Sequence, residues 1–347
     1  MHNKNEIFEP IWRNGKDYLM NEEKMKRKQE ERKIREINNS LKYLSSPVQK
    51  EIGILAVQEQ DNVFLCEDKM YKKVYTVRPA VLKNKKNELI KALCNGFHNR
   101  IRFTQILKNN GDKLGNYMFM TVNFEAETYY EARKKITEFE NKLRMEITSI
   151  LNIDIQTCTL DSLLSYIIWN YSGRMQQIDT GQLFTSKTGL HFFDTCKDRG
   201  IGRFSVDGNY GIVCIGKAYP DEMPDVTTMF AKQKATYQIC VDFQSYCPDD
   251  KEIYQIALKR RYCNEKSELD QEKVINMSYF LIAVRNDSEQ MEDLADYIFD
   301  YYDRKNVLIM PGVDRAREIF LSTSSLGIRD FHSMQNVDTQ TIGRLFM

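Results

Sequence analysis

The chain has no apolar run long enough to cross a membrane. The longest, LDSLLSYIIW at residues 160–169, holds Asp161 and two serines and is about half the roughly 20 residues that a spanning helix needs. The N-terminal stretch MHNKNEIFEPIWRNGKDY has no continuous apolar segment of the secretory kind, so the chain is expected to start in the cytoplasm. Neither charge sign dominates. Fifty basic residues balance 49 acidic ones, for a net charge of +1, which argues neither for nor against nucleic acid. Cysteines are present but unpatterned: Cys66, Cys94, Cys158, Cys196, Cys214, Cys240, Cys247 and Cys263 include no C-x-x-C. Cys240 and Cys247 lie seven apart with no His nearby, and several others sit in apolar runs (VFLC, IVCI, YQICV). Reduced thiols packed as small hydrophobes are expected, and no metal site. Histidine is scarce, with His2, His98, His191 and His332 dispersed. There is no G-x-S-x-G and no H-E-x-x-H, and GIGRF at 200–204 lacks the third Gly of a dinucleotide fingerprint. Asp161, Asp207 and Asp242 carry no signal beyond abundance, so no catalytic residue is assigned.

What is present suits a soluble globular protein. The chain has 347 residues, 42% of them hydrophobic, enough for two or three domains. Residues 21–42, NEEKMKRKQEERKIREINNSLK, hold eight basic and five acidic residues without Gly or Pro, and opposite charges recur three and four apart. This reads as a solvated helix, open to contact with acidic lipid or a partner, in an N-terminal extension over 1–46. SSP at 45–47 ends it.

A first α+β domain is expected over 47–171. IGILAV and VFLC read as short strands joined by QEQDN, and KVYTVRP alternates as a half-buried strand. A helix over 84–98 follows, then strands IRFTQIL and YMFMTVNF around the turn-rich KNNGDKLGN. A long helix over 127–150 and a strand at 153–158 complete a β-α-β-β-α-β order from residue 73, the ferredoxin-like arrangement. A helix over 160–171 closes the domain. Residues 172–209 read as a connection. A second α+β domain, 210–322, repeats the rhythm: strand YGIVCIGKAYP, short helix 224–234, strand ATYQICVDFQS, helix 249–272, strand VINMSYFLIAVR, helix 288–302 opened by a Ser-x-x-Met cap, strand VLIMPG and helix 313–321. The tail to 347 is polar and irregular. The expected fold is thus α+β, two ferredoxin-like sheet-and-helix halves behind a charged helix.

One stretch invites a nucleotide. GQLFTSKTG at 181–189 places Gly181, Lys187 and Thr188 at the offsets of a phosphate-binding P-loop, G-x-x-x-x-G-K-[ST]. Ser186 replaces the second Gly, no apolar strand feeds in, and Gly189 interrupts the helix that should begin at Lys-Thr. A polar connecting loop is the better reading, and no cofactor is assigned to the chain. The β-α-β-β-α-β order is also that of an RNA-recognition module, but its aromatic signature is absent, and Phe119 and Phe124 of YMFMTVNF fall on opposite faces of a strand.

YGIVCIGKAYPDEMPD at 210–225 is followed by VDFQSY, then by VINMSYFLIAVRNDSEQMEDLADYI, then by SLGIRDFHSMQNVDTQTIGRLFM at 325–347. This succession resembles the N-terminal region of the large conjugative-transfer ATPases of type IV secretion, the TraC/TraE-like group. EIGILAV…VFLCEDKMYKKVYTVRP resembles that family's opening sheet, so the likeness spans about residues 47–347. The last stretch is similar to the passage leading toward the family's motor. The family's P-loop and acidic strand, which take ATP and magnesium, lie beyond that passage and have no counterpart here. The resemblance implies a non-catalytic assembly domain at the inner face of the cell membrane. Its partners would be inner-membrane components of the secretion complex, the ATPase motor and neighbouring copies of itself. The alternatives are a nucleotide-binding protein using 181–188 and a single-stranded nucleic-acid-binding module.

Overall fold

The structure is a computed structural model that describes residues 9–78, 85, 88–90, 92, 101–110, 113–150, 152–173, 178–219, 225–231, 233–245, 274–329, 331, 333, 335–338, 342 and 345. The helix expected over 249–272 lies outside these, as do Cys94, Cys247, Cys263, His2, His98 and His332. Of the helix expected over 84–98, residues 85, 88–90 and 92 are described; 88–90 and 92 are helical and 85 lies in a turn.

A 30-residue helix, α1 (Glu9–Asn38), leads the chain. Residues 22–33 are exposed all round, as their charge pattern requires, and ion pairs Lys26–Glu22 and Arg32–Glu36 link successive turns. After β1 (Lys42–Tyr43) comes a helix the sequence reading missed, α2 (Ser46–Ile52). Its signals were present: Pro47 stands at the first turn and Gly53 closes it in the left-handed region, φ 78°. Strands β2 (Ile54–Gln58), β3 (Val63–Cys66), β4 (Met70–Val77), β5 (Ile101–Asn110) and β6 (Lys113–Glu125) follow. The helix α3 (Tyr129–Leu143) is capped by the Thr128 hydroxyl and runs into a wider π turn over Arg144–Ile150. Then come β7 (Ile155–Thr157) and α4 (Leu160–Ser172), capped by Thr159 and stopped by left-handed Gly173.

The segment read as a plain connection is partly structured. It holds a short helix, α5 (Gly181–Thr185), and the strands β8 (Lys197–Gly200) and β9 (Arg203–Val206). The second half comprises β10 (Asn209–Ala218), α6 (Val226–Ala231), β11 (Thr236–Ser245), β12 (Val274–Arg285), α7 (Ser288–Asp303), β13 (Leu308–Pro311) and α8 (Ala316–Ser324). Asp287, not Ser288, caps α7, its carboxylate accepting the Gln290 N–H at 2.8 Å. The expected irregular tail contains β14 (Gln335–Asp338), paired with β12.

All described strands join one antiparallel-paired sheet of 14 strands. Within the first half the neighbours run β7-β4-β6-β5, and within the second β13-β10-β12-β11. The halves meet where β5 pairs with β11, from Thr236↔Lys108 to Phe243↔Ile101. Alternate residues of the central strands feed two cores on opposite faces. Tyr279, Leu281 and Ala283 face α3, α6 and α7, while Phe280 and Ile282 face α2, α4 and α8. Burial on both faces explains why these strands read as near-continuous apolar runs.

Candidate functional site

On the face covered by α2, α4 and α8, one row of side chains is polar. Thr121 on β6 stands opposite Arg102 on β5, Arg102 opposite Asp242 on β11, and Asp242 opposite Ser278 on β12. All four are buried. Lys72 on β4, also buried, belongs to the same face, two residues from Val74, which opposes Thr121.

The chain segment after α8 lies along this row. Thr121 Oγ1 donates to the Leu326 carbonyl. Lys72 Nζ donates to the carbonyls of Gly327 at 3.0 Å and Ile328 at 2.9 Å. Arg102 Nη1 donates to the Arg329 carbonyl at 2.8 Å and to Ser322 Oγ at 3.0 Å. Farther along, the Ser333 N–H donates to Ser278 Oγ at 3.0 Å. The described residues of the segment are thus held by β4, β6, β5 and β12 and not by one strand alone, so they do not form a ladder with any one of these strands. Its buried carbonyls still need donors, and the row supplies them. Residues 335–338 pair as β14 with β12.

One glycine fits the segment closely to this track. Gly327 is left-handed, φ +87°, and a Cβ there would come within 2.8 Å of the Thr121 side chain. Arg102 Nε also lies 3.2 Å from Asp242 Oδ1, an ion pair between the two halves with both side chains sealed from solvent. Nearby Cys240 Sγ lies 3.1 Å from Arg102 Nε; burial, outweighing the guanidinium, pushes its thiol up to about 11.

A polar cleft of about 330 Å³ opens beside the track, with Lys50, Glu67, Asp68, Arg317 and Arg329 in its wall. Arg329 reaches from the segment to the carbonyl of Lys50 at 2.7 Å and to that of Glu51, which ties α2 to the track. Burial pushes the Arg329 guanidinium below its usual value, with Glu67 opposing.

Residues singled out from sequence do not gather here, apart from Asp242. Gly181 begins α5, and Lys187 and Thr188 follow that helix in an exposed bend. In a phosphate loop the order is reversed, with Lys-Thr opening the helix so that its N–H groups face the anion. Ser186 Oγ instead donates to the Gly189 carbonyl at 2.9 Å. Asp161 is exposed in the first turn of α4, and Asp207 sits in the β9–β10 turn accepting from Thr195. Phe119 and Phe124 are buried in opposite cores, so neither is available to stack on a base. The described cysteines, Cys66, Cys158, Cys196, Cys214 and Cys240, are all buried. Among the described residues no group of His, Cys, Asp or Glu is placed to hold a metal ion, and no helix is long and apolar enough to cross a membrane. The sequence reading missed Lys72, Arg102, Thr121 and Ser322. The available signal was Lys72 and Arg102 standing inside strand patterns at positions that share a face with Val74 and Ile106.

No protein-family model and no curated protein matches the chain.

Proposed function

We propose that this chain is a non-catalytic assembly module of a conjugative-transfer ATPase of type IV secretion, and that each half is a ferredoxin-like unit. The strand orders β7-β4-β6-β5 and β13-β10-β12-β11, antiparallel throughout and with crossovers bearing α3 and α7, support the fold reading. The observation that carries the assembly role is the polar track. The segment that resembles the family's lead-in to its motor is hydrogen-bonded to strands of both halves through Lys72, Thr121, Arg102 and Ser278. A pull on that segment is therefore borne by the whole sheet. On this reading ATP and magnesium belong to the motor, and this chain contacts inner-membrane components of the complex, the motor and neighbouring copies of itself. Pull-down of the chain with the membrane components and with a separately supplied motor tests it. Capture of both is expected, reduced by Lys72→Met, which frees the segment. Binding to neither overturns the assembly role.

A further inference from the structure

A second concavity lies at the seam of the two halves, at the other end of the sheet region from the cleft beside Lys50. Its volume is about 650 Å³, within the range of small-molecule sites. Its wall is built where β5 ends, β11 begins, β12 ends and α4 stops. The chemistry of that wall is one-sided. It includes the cations Lys234 and Arg285 and the side-chain amides of Asn109, Asn170, Asn209 and Asn286, and it includes no carboxylate among the described residues.

Among the described residues neither cation has a carboxylate partner. Lys234 is exposed at the rim and makes no ion pair among the described residues. Arg285 is held by neutral oxygens: its Nη1 lies 3.3 Å from Gln290 Oε1 and its Nη2 2.5 Å from Gln233 Oε1. A guanidinium positioned by amides keeps its full charge and its directionality, which a carboxylate partner would cancel. Its Nε is buried without a partner. The amides are oriented too. Asn109 Nδ2 donates to the carbonyls of Ala231 at 3.0 Å and Gln233 at 2.8 Å, and Asn170 Nδ2 to that of Ser324 at 3.1 Å. These bonds settle which end of each amide is the oxygen, and both oxygens are buried without a partner. Asn170 is 6% exposed. Unmatched acceptors beside unmatched cationic donors suit a ligand that has an anionic group and hydroxyls of its own.

We propose that this seam cavity binds a small hydroxylated organophosphate. Arg285 and Lys234 take the phosphate, Arg285 with two N–H groups in the planar fork that phosphate oxygens match. Asn109 and Asn170 accept from the ligand's hydroxyls. The site is independent of the assembly role and stands or falls apart from it.

Isothermal titration calorimetry on the full chain tests this, with glycerol 3-phosphate, inorganic phosphate and citrate as probes at constant ionic strength. One saturable site for glycerol 3-phosphate is expected, with inorganic phosphate weaker because it lacks the hydroxyls, and citrate weakest. Arg285→Gln is expected to weaken the organophosphate about tenfold, the worth of one charged hydrogen-bond set. Lys234→Gln is expected to weaken it about threefold. Saturable binding of none of the probes, citrate binding as tightly as glycerol 3-phosphate, or wild-type affinity in both variants overturns the proposal. Should Arg285→Gln lose its fold by circular dichroism, Lys234→Gln at the exposed rim decides: weakened binding supports the site, and unchanged binding overturns it.

Discussion

Replacing Gly327 with Ala tests whether the track grips its segment. Two costs combine at this position. The backbone is left-handed, φ +87°, which charges a residue with a Cβ about 1–2 kcal/mol. The new Cβ would also stand 2.8 Å from Thr121 Cβ and Oγ1. Neither atom can swing away, because Thr121 lies on a central strand and its hydroxyl holds the Leu326 carbonyl. Overpacking of this kind costs about 1–3 kcal/mol, so Gly327→Ala should destabilise by about 2–5 kcal/mol. Gly208→Ala is the control. Gly208 is equally left-handed, φ +76°, but nothing lies within 4 Å of its would-be Cβ, so only the backbone cost of about 1–2 kcal/mol applies. Urea unfolding followed by far-UV circular dichroism gives both values. If Gly327→Ala falls within about 0.5 kcal/mol of Gly208→Ala, the segment is not seated on Thr121 and the track is not a clamp.

Arg102→Ala should cost about 3–5 kcal/mol by stranding Asp242 in the core, whereas Arg102→Met combined with Asp242→Leu should regain more than half of that loss in the same urea assay. In a variant carrying Cys94→Ser, Cys247→Ser and Cys263→Ser, the five described thiols should stay silent to a thiol reagent at pH 8 and all react in urea, since burial pushes Cys158, Cys196 and Cys214 up to about 12 and Cys240 to about 11. The Arg203 guanidinium, which grips both Glu292 oxygens, holds that carboxyl below its usual 4.5. A depressed carboxyl stabilises the fold above its unfolded value, and the gain is lost as pH falls through the lower folded value. Glu292→Gln should therefore flatten the dependence of the urea midpoint on pH just below 4.5, and an unchanged slope would remove the ion pair from the stability account.

Much of the architecture was readable because the strands are apolar and the helices amphipathic. Short apolar runs in IRFTQIL and YMFMTVNF, set around a turn-rich stretch, placed β5 and β6, and the Leu160 run placed α4. Short polar strands were not readable. KDRG of β8 and QNVD of β14 lack apolar periodicity, and each is a strand only because an apolar neighbour offers a ladder, β9 in one case and β12 in the other. The track was invisible for a related reason. Lys72, Arg102, Thr121 and Asp242 lie far apart in sequence, and only the register of four strands aligns them. Pattern within one strand carries no information about that register. The seam cavity is hidden in the same way, since its amides come from β5, α4, β10 and the end of β12.

The two faces of the sheet are closed by different means, and the difference explains why a polar row sits in a core. One face is covered by helices lying between the strands of each half, α3, α6 and α7, so chain connectivity places them. The other is covered by α2, α4 and α8, which lie outside both four-stranded groups. Leaving that face bare would expose Phe119, Val213, Phe280 and Ile282 among others, at about 1.5–3 kcal/mol for each large side chain. Apolar contact alone would close it, but apolar contact is indifferent to small sliding. A strand has its register set by its ladder, whereas a segment crossing strands has none. Lys72, Thr121, Arg102 and Ser278 supply the missing register, since each bond is made to one named backbone group and a shift of one residue breaks them together. The buried charges thus cost desolvation and return position, which a joint between two halves of one sheet requires.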